Sequence, residues 1–272
     1  MTGPMADRAG PGDALPIPPD AEASLVLVRH GESTWIAEGL FQGAADPPLS
    51  DRGRAQARLV GDRLSDVTAA PALPIPVGPP VVIWHSPLER ARATAEAIAA
   101  GCPGARVVDD PDLREIAQGA WEGLRVSEIL EHDGERLRAW RRAPVGNEAP
   151  GGETLAAVDL RARAALTRIV ADLAGASRSA PAADVDRPPV VGYEPDRSDR
   201  PWGVAVAHDG LFRVAMLALL GMPLERFWTF PFVPAGITVL ELRGGICVVR
   251  AHDLADHLAP LDGTAPVPEG AL

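Results

Sequence analysis

Short continuous apolar runs punctuate this chain: Val26–Val28, Val81–Trp84, the pair Val107 and Val108, and Gly203–His208. Runs of this length, bounded by Gly, Pro and polar residues, predict strands buried in a core. Between them apolar positions recur every three or four residues, the spacing of a helical stripe. Residues 51–64 carry Ala55, Leu59, Val60 and Leu64 on such a stripe, and Ser50 is placed to cap the helix that they predict. "HSPLERARATAEAIAA" predicts a second helix, with Ser86 as N-cap, Pro87 at the first helical position and Glu89 completing a capping box. Residues 125–143 are charged, with Trp140 and several leucines, and predict one or two short helices laid over the core. A long amphipathic helix follows from near Glu153, and "LFRVAMLALLGM" predicts another that stops at Gly221. "ITVLELRGGICVVRAH" reads as two strands about a Gly244–Gly245 hairpin turn.

Strands alternating with helices predict an α/β fold. The expected form is a three-layer α/β/α sandwich with a mostly parallel central sheet, an antiparallel edge hairpin and a small helical insertion, about residues 125–150, over the active site. Residues 1–24, rich in Pro, Gly, Ala and Asp, read as a disordered N-terminal tail. Residues 25–258 read as one catalytic domain, 175–201 as a long mobile loop and 259–272 as a C-terminal tail.

Composition narrows the partners. The net charge of −11 argues against nucleic acid, which recruits basic surfaces, and requires any anionic substrate to find a local positive pocket. No apolar stretch reaches membrane-span length, and the N-terminus lacks the basic and apolar regions of a secretion signal, so a cytoplasmic protein without a membrane partner is expected. Self-association into a homodimer is left open. Cys102 and Cys247 form no CxxC pair and read as two free thiols.

Three polar clusters from distant parts of the chain fall at the carboxyl ends of predicted strands, where sites of open α/β sheets gather. They are Arg29 and His30, the Ser86/Arg90 segment, and His208. Alone, each is unremarkable: a strand-end histidine is usually structural, and an arginine in a first helical turn is usually solvated. Together, two arginines and two histidines suit a phosphoryl group. Guanidinium forks match phosphate oxygens, and a neutral imidazole can attack phosphorus and hold it covalently. Nearby cations disfavour protonation of that imidazole. An acid is needed for the departing alkoxide, and "LREIAQGAWEGL" offers Glu115 and Glu122, which spacing alone separates only weakly. No HExxH helix, Cys/His cluster, G-x-S-x-G elbow, Walker loop or strand-following GxGxxG is present, so neither a metal nor an organic cofactor is expected.

These blocks resemble, in order and spacing, the signatures of the histidine phosphatase superfamily, the phosphoglycerate mutase-like family. "LVRHGESTW" resembles its opening motif and "FQGAADPPLSDRGRAQA" the segment after it. "HSPLERARATA" resembles its second arginine block, "LREIAQGAWEGL" its acid block and "VAHDGLFRVAM" its second histidine block. The resemblance spans about residues 25–258. It implies His30 as the nucleophile that becomes phosphohistidine, Arg29, Arg90 and His208 as the phosphate pocket, and Glu115 as proton donor. Two positions depart. Ile36 stands where the family often has an asparagine that holds phosphate, so that contact is expected to be lost or to come from Gln42 or the backbone at Gly43. Asp209 stands where glycine is common, and is expected to face outward at a helix start.

The acid block resembles the phosphatase branch. The expectation is therefore a phosphatase acting on a small phosphorylated metabolite, such as a sugar phosphate or a phosphoglycerate. A 2,3-bisphosphoglycerate-dependent phosphoglycerate mutase is the alternative, and a catalytically weak regulatory protein of the same fold the remaining one. Trp121, Trp140, Phe227 and Trp228 are candidates to line the substrate pocket, although aromatics at such spacings more often belong to the core.

Overall fold

A strand that is apolar at every position can serve only a sheet covered on both faces. In the computed structural model of the protein, which describes residues 13–177 and 199–261, β1 (Ala23–Arg29) is such a strand, buried throughout. Because side chains alternate across a strand, Leu25 and Leu27 enter one core layer while Val26 and Val28 enter the other. The remaining strands are β2 (Val82–His85), β3 (Arg106–Asp109), β4 (Trp202–Ala207), β5 (Ile237–Arg243) and β6 (Ile246–Leu254). They form one sheet in the order β3–β2–β4–β1–β5–β6. β1, β2, β3 and β4 run parallel, and β5 pairs antiparallel with both β1 and β6. The β5–β6 hairpin turns at Gly244 and Gly245, both at positive φ (55° and 81°), as a tight primed turn requires.

Helices cover both faces. α1 (Thr34–Glu38) is a single turn after β1, followed by α2 (Asp51–Ser65), α3 (Glu89–Gly101), α4 (Val126–Arg142), α5 (Leu155–Ser177) and α6 (Asp209–Leu220). α2 and α3 pack on the valine face, burying Val60, Leu64, Ala91, Ala95 and Ile98. α4, α5 and α6 pack on the leucine face, with Leu137, Leu166, Ile169, Phe212 and Met216 in that layer. This is the expected α/β sandwich with its antiparallel edge pair. α4 is one helix interrupted at Asp133, whose φ of −145° is non-helical. Among the described residues, no helix is long and apolar enough to cross a membrane.

Several boundaries differ from the sequence reading. The residues ahead of β1 that are described, from Asp13, lie against the body: Leu15 and Ile17 are buried, and Leu15 N–H donates to Ala218 C=O at 2.8 Å. Two apolar side chains among the prolines are enough to hold this segment to α6. The loop expected at about 175–201 falls mostly outside the described residues, with α5 continuing to Ser177. At the far end, a 3-10 turn at Asp256–Leu261 receives the Arg52 guanidinium from α2 at Leu261 C=O (2.9 Å). Cys102 and Cys247 are free thiols associated with opposite core layers, and burial pushes the Cys247 thiol up to about 12.

Candidate active site

The parallel strands end together, so the residues following them meet. His30 follows β1, Ser86 follows β2 and His208 follows β4. The His30 peptide is tied to its neighbours: its N–H donates to Ala207 C=O (2.9 Å), and the Ala235 N–H donates to Arg29 C=O (3.0 Å). The His30 and His208 rings lie 5.0 Å apart between centroids, tilted 59°, and both are fully buried.

The hydrogen bonds assign a tautomer to each ring. His30 Nδ1 lies 2.6 Å from the Gly31 carbonyl, which can only accept, so Nδ1 carries the proton and Nε2 its lone pair. Arg90 Nε–H points at that Nε2 from 3.3 Å. His208 Nε2 lies 2.8 Å from Ser86 Oγ, and Ser86 Oγ accepts from Leu88 N–H at 3.3 Å. The Ser86 hydroxyl has no other acceptor among the described residues, so it is satisfied by donating to Nε2, which places the His208 proton on Nδ1. Nδ1 is buried with no partner among the described residues, as is Arg29 Nε. Both are donors suited to an incoming oxyanion. Burial, then Arg90, holds both histidines well below the usual imidazole range, so both are neutral near pH 7.

Arg90 is wholly buried yet charged: burial pulls it down to about 10, against the favourable influence of Glu115 and Asp46. Its Nη1 donates to Ala45 C=O (2.8 Å) and its Nη2 to Gly43 C=O (2.9 Å). The loop carrying those carbonyls is itself shaped by Glu122, which accepts from the N–H groups of Ala44, Ala45 and Gln118. The two acid candidates thus separate. Glu122 is a loop anchor. Glu115 is half-buried against the start of α6, accepting from Ile116, Gly210 and Leu211 N–H at 2.9, 3.2 and 3.1 Å. Burial foremost, and then Asp209, pushes its carboxyl up, which favours the protonated form that a donor needs.

Other expectations shift. Ser86 is not a helix cap: α3 starts at Glu89 after Leu88, and the cap is the Asp46 carboxylate, which accepts Glu89 N–H at 2.7 Å. Gln42 is buried with its carbonyl engaged by the Ser33 hydroxyl, and Gly43 offers its carbonyl to Arg90. Ile36 is buried in α1, where its N–H donates to Ser33 Oγ (3.1 Å). Gly31 allows a close approach of the backbone to α2: a Cβ there would lie 2.5 Å from Gly53 C=O. Asp209 does not face outward. It is buried, and Arg213 Nε donates to it at 2.9 Å. A carboxylate with a salt-bridged guanidinium one helical turn away can turn inward, which a single residue in a list does not reveal. Trp121 and Trp140 are core residues, with Trp121 edge-on to Phe41 and Trp140 against Phe227 and Trp228.

Two further residues hold the site and escaped the sequence reading. Thr94 accepts Gly31 N–H (3.1 Å) and donates to Arg90 C=O (2.8 Å), linking the nucleophile's neighbour to α3. Its spacing of four from Arg90 was the available signal. Arg161 of α5 donates to the carbonyls of Asp112, Arg114 and Glu115 (2.9, 2.6 and 3.1 Å) while paired with Glu153, and so shapes the acid loop. Among the described residues, no cluster of three or more His, Cys, Asp or Glu could hold a metal ion.

The arrangement presents a neutral imidazole lone pair beside two arginines, with a second imidazole donor and the half-buried Glu115 carboxyl nearby. That set suits capture of a phosphoryl group from an ester. Comparison with known proteins agrees. The model of the histidine phosphatase superfamily (branch 1) matches residues 25–177 and 195–254. Phosphoserine phosphatase 1 of Hydrogenobacter thermophilus is 31% identical over 237 residues, covering 86% of this chain and 93% of that protein. A 2,3-bisphosphoglycerate-dependent phosphoglycerate mutase 2 of Gloeobacter violaceus is 39% identical over 142 residues, 51% of this chain and 59% of that protein. Among solved structures, a mycobacterial glucosyl-3-phosphoglycerate phosphatase in complex with VO3 is 27% identical with a TM-score of 0.66, over 85% of this chain and 99% of that one.

Proposed function

The chain belongs to the histidine phosphatase superfamily, and on that premise we propose that it hydrolyses small phosphomonoesters, sugar phosphates or phosphoglycerate-type metabolites, through a phosphohistidine on His30. The observation that carries this reading is the His30 tautomer: Nδ1–H is tied to Gly31 C=O, which leaves the Nε2 lone pair facing Arg90 in the pocket. Nε2 attacks phosphorus, the P–O ester bond breaks, and the Glu115 proton passes to the departing alkoxide. Arg29, Arg90 and His208 Nδ1–H hold the phosphoryl oxygens as charge builds on them. Water then attacks the phosphohistidine, Glu115 takes up its proton, and inorganic phosphate leaves with His30 restored. No cofactor takes part. The two arginines also answer the charge problem, since they create a positive pocket in a chain of net charge −11.

The phosphatase names of a relative matched over most of its length and of the solved neighbour support hydrolysis. Relatives named as a phosphoglycerate mutase and a phosphoglycerate mutase-like protein, matched over about half this chain, support phosphoryl transfer between hydroxyls as the second reading. One experiment separates them: purified protein is given p-nitrophenyl phosphate, and separately 3-phosphoglycerate with 2,3-bisphosphoglycerate. Release of phosphate from the ester is expected; rapid isomerisation with negligible phosphate release favours the mutase. An acid-labile phosphoryl group trapped on the parent and lost in His30→Ala identifies the nucleophile. Turnover surviving in His30→Ala overturns the mechanism, and a parent that never labels or turns over leaves the regulatory reading.

A further inference from the structure

The arginine beside the nucleophile is held by a single peptide, and two carboxylates outside the catalytic set hold that peptide in turn. Arg29 Nη1 donates to the Phe232 carbonyl at 2.5 Å. The N–H of the same peptide unit, that of Val233, donates to Asp253 Oδ1 at 2.9 Å. The preceding peptide unit, through Phe232 N–H, donates to Asp209 Oδ1 at 3.0 Å. Phe232 thus has an anion on each flanking N–H, and its carbonyl points the other way, at Arg29. Resting on the phosphohistidine reading above, we propose that Asp209 and Asp253 are positioning residues that bracket Phe232 and aim its carbonyl at Arg29, so that the guanidinium presents its remaining donors to the phosphoryl group.

The bracket is built into the packing. The second oxygen of Asp209 takes Arg213 Nε at 2.9 Å, and Arg213 is covered by the rings of Trp228 and Phe227 at 5.1 and 5.7 Å. The pair is therefore dry, and its acceptor for Phe232 cannot swing to solvent. The Phe232 ring is buried between Phe212 and His252, at centroid distances of 5.3 and 5.0 Å, which fixes the residue from its side-chain end. Asp253 sits in β6 at a φ of +54°, a left-handed conformation uncommon for a side chain other than Asn or Asp. Its own N–H is held by Thr238 Oγ1 at 3.0 Å. A peptide polarised by a carboxylate at its N–H is also a better acceptor at its carbonyl, which strengthens its hold on Arg29. The carboxylate at 209, unwelcome beside an anion pocket at first sight, serves that pocket indirectly.

Orthovanadate, which adopts the trigonal-bipyramidal geometry of phosphoryl transfer, is the probe, and its inhibition constant against p-nitrophenyl phosphate turnover is the readout. Asp253→Gly removes the acceptor without straining the positive φ, whereas Asp253→Asn keeps it. Asp209→Ala alone strands a buried Arg213, so the comparison uses Asp209→Ala/Arg213→Met, which leaves no unpaired charge, against Asp209→Asn/Arg213→Met. Variants lacking the acceptor are expected to bind orthovanadate roughly tenfold more weakly, and their Asn counterparts within about threefold of the parent, as fits weakening of one charged hydrogen bond. In an Arg29→Met background, Asp253→Gly is expected to cost nothing further. Equal inhibition of acceptor-free and Asn variants, whether parent-like or weakened, overturns the bracket while leaving the phosphatase reading intact. So does full additivity with Arg29→Met. A parent that orthovanadate does not inhibit overturns the phosphatase reading, and the bracket with it.

Discussion

Ser86 offers the sharpest test of how the second histidine works. Its hydroxyl donates to His208 Nε2 at 2.8 Å, which leaves the ring proton on Nδ1, the buried atom free to meet a phosphoryl oxygen. Ser86→Ala removes that donor inside a site where Ser86 and His208 are both fully buried. The lower bound on the loss is one net neutral hydrogen bond, about 1 kcal/mol. The upper bound is complete loss of an oxyanion donor, roughly 3–4 kcal/mol, reached if the ring proton moves to Nε2 and away from the substrate. At about 1.4 kcal/mol per decade of rate, kcat/KM is expected to fall by at least about 5-fold and at most several hundredfold. The assay is steady-state turnover of p-nitrophenyl phosphate, corrected for the folded fraction by urea unfolding with an unchanged m-value. Ser86→Cys keeps a weaker donor and should fall between. If Ser86→Ala retains kcat/KM within about twofold of the parent, or its loss vanishes once the folded fraction is counted, the hydroxyl does not set the His208 proton and the tautomer argument fails.

Glu115→Gln should slow alkyl phosphates by about 100-fold or more while sparing p-nitrophenyl phosphate, whose leaving group needs little protonation; equal losses on both would remove Glu115 from the role of acid. Gly53→Ala should destabilise the fold by about 2 kcal/mol or more, because its Cβ would lie 1.9 Å from Glu32 C=O and backbone must move; an unchanged urea midpoint would show that loop and helix are not in contact. Stability should fall on acidification below about pH 6.5. Burial holds His30 and His208 well below their unfolded value, so in that window the unfolded chain binds more protons than the folded one. Each histidine adds up to about 1.4 kcal/mol per pH unit to the slope. Urea midpoints from pH 7.5 to 5.0 measure it, and a His30→Asn/His208→Asn variant with the same slope as the parent would refute the assignment.

The alternation of apolar runs and helical stripes already specified an α/β sandwich, because a run such as Leu25–Val28 has no polar face to turn toward water and must be covered on both sides. The same logic placed His30 and His208 on one edge, since parallel strands that end in polar residues end together. From spacing alone the acid was a choice of two, which the family resemblance resolved toward Glu115, and folding set Glu115 against the α6 N-terminus and Glu122 against the loop at Ala44 and Ala45. Ser86 shows the limit of local pattern. Ser, Pro and Glu at cap spacing make a helix start, yet the hydroxyl serves His208, 122 positions away, while Asp46 supplies the cap. Asp209 read as outward-facing because its partners are not neighbours in that reading: the Phe232 peptide is 23 residues distant, and the Arg213 pairing is stable only where Phe227 and Trp228 exclude water.

Periodicity and strand ends are properties of consecutive residues, so the chain alone determined the layers, the edge that carries the site and the residue types gathered there. Hydrogen-bond partners, proton positions and protonation states depend on distance and on exclusion of water. Both arise only when segments far apart in sequence close on one another, and so the tertiary structure alone decided which imidazole nitrogen faces the pocket, which carboxyl is pushed up by burial and which peptide holds Arg29.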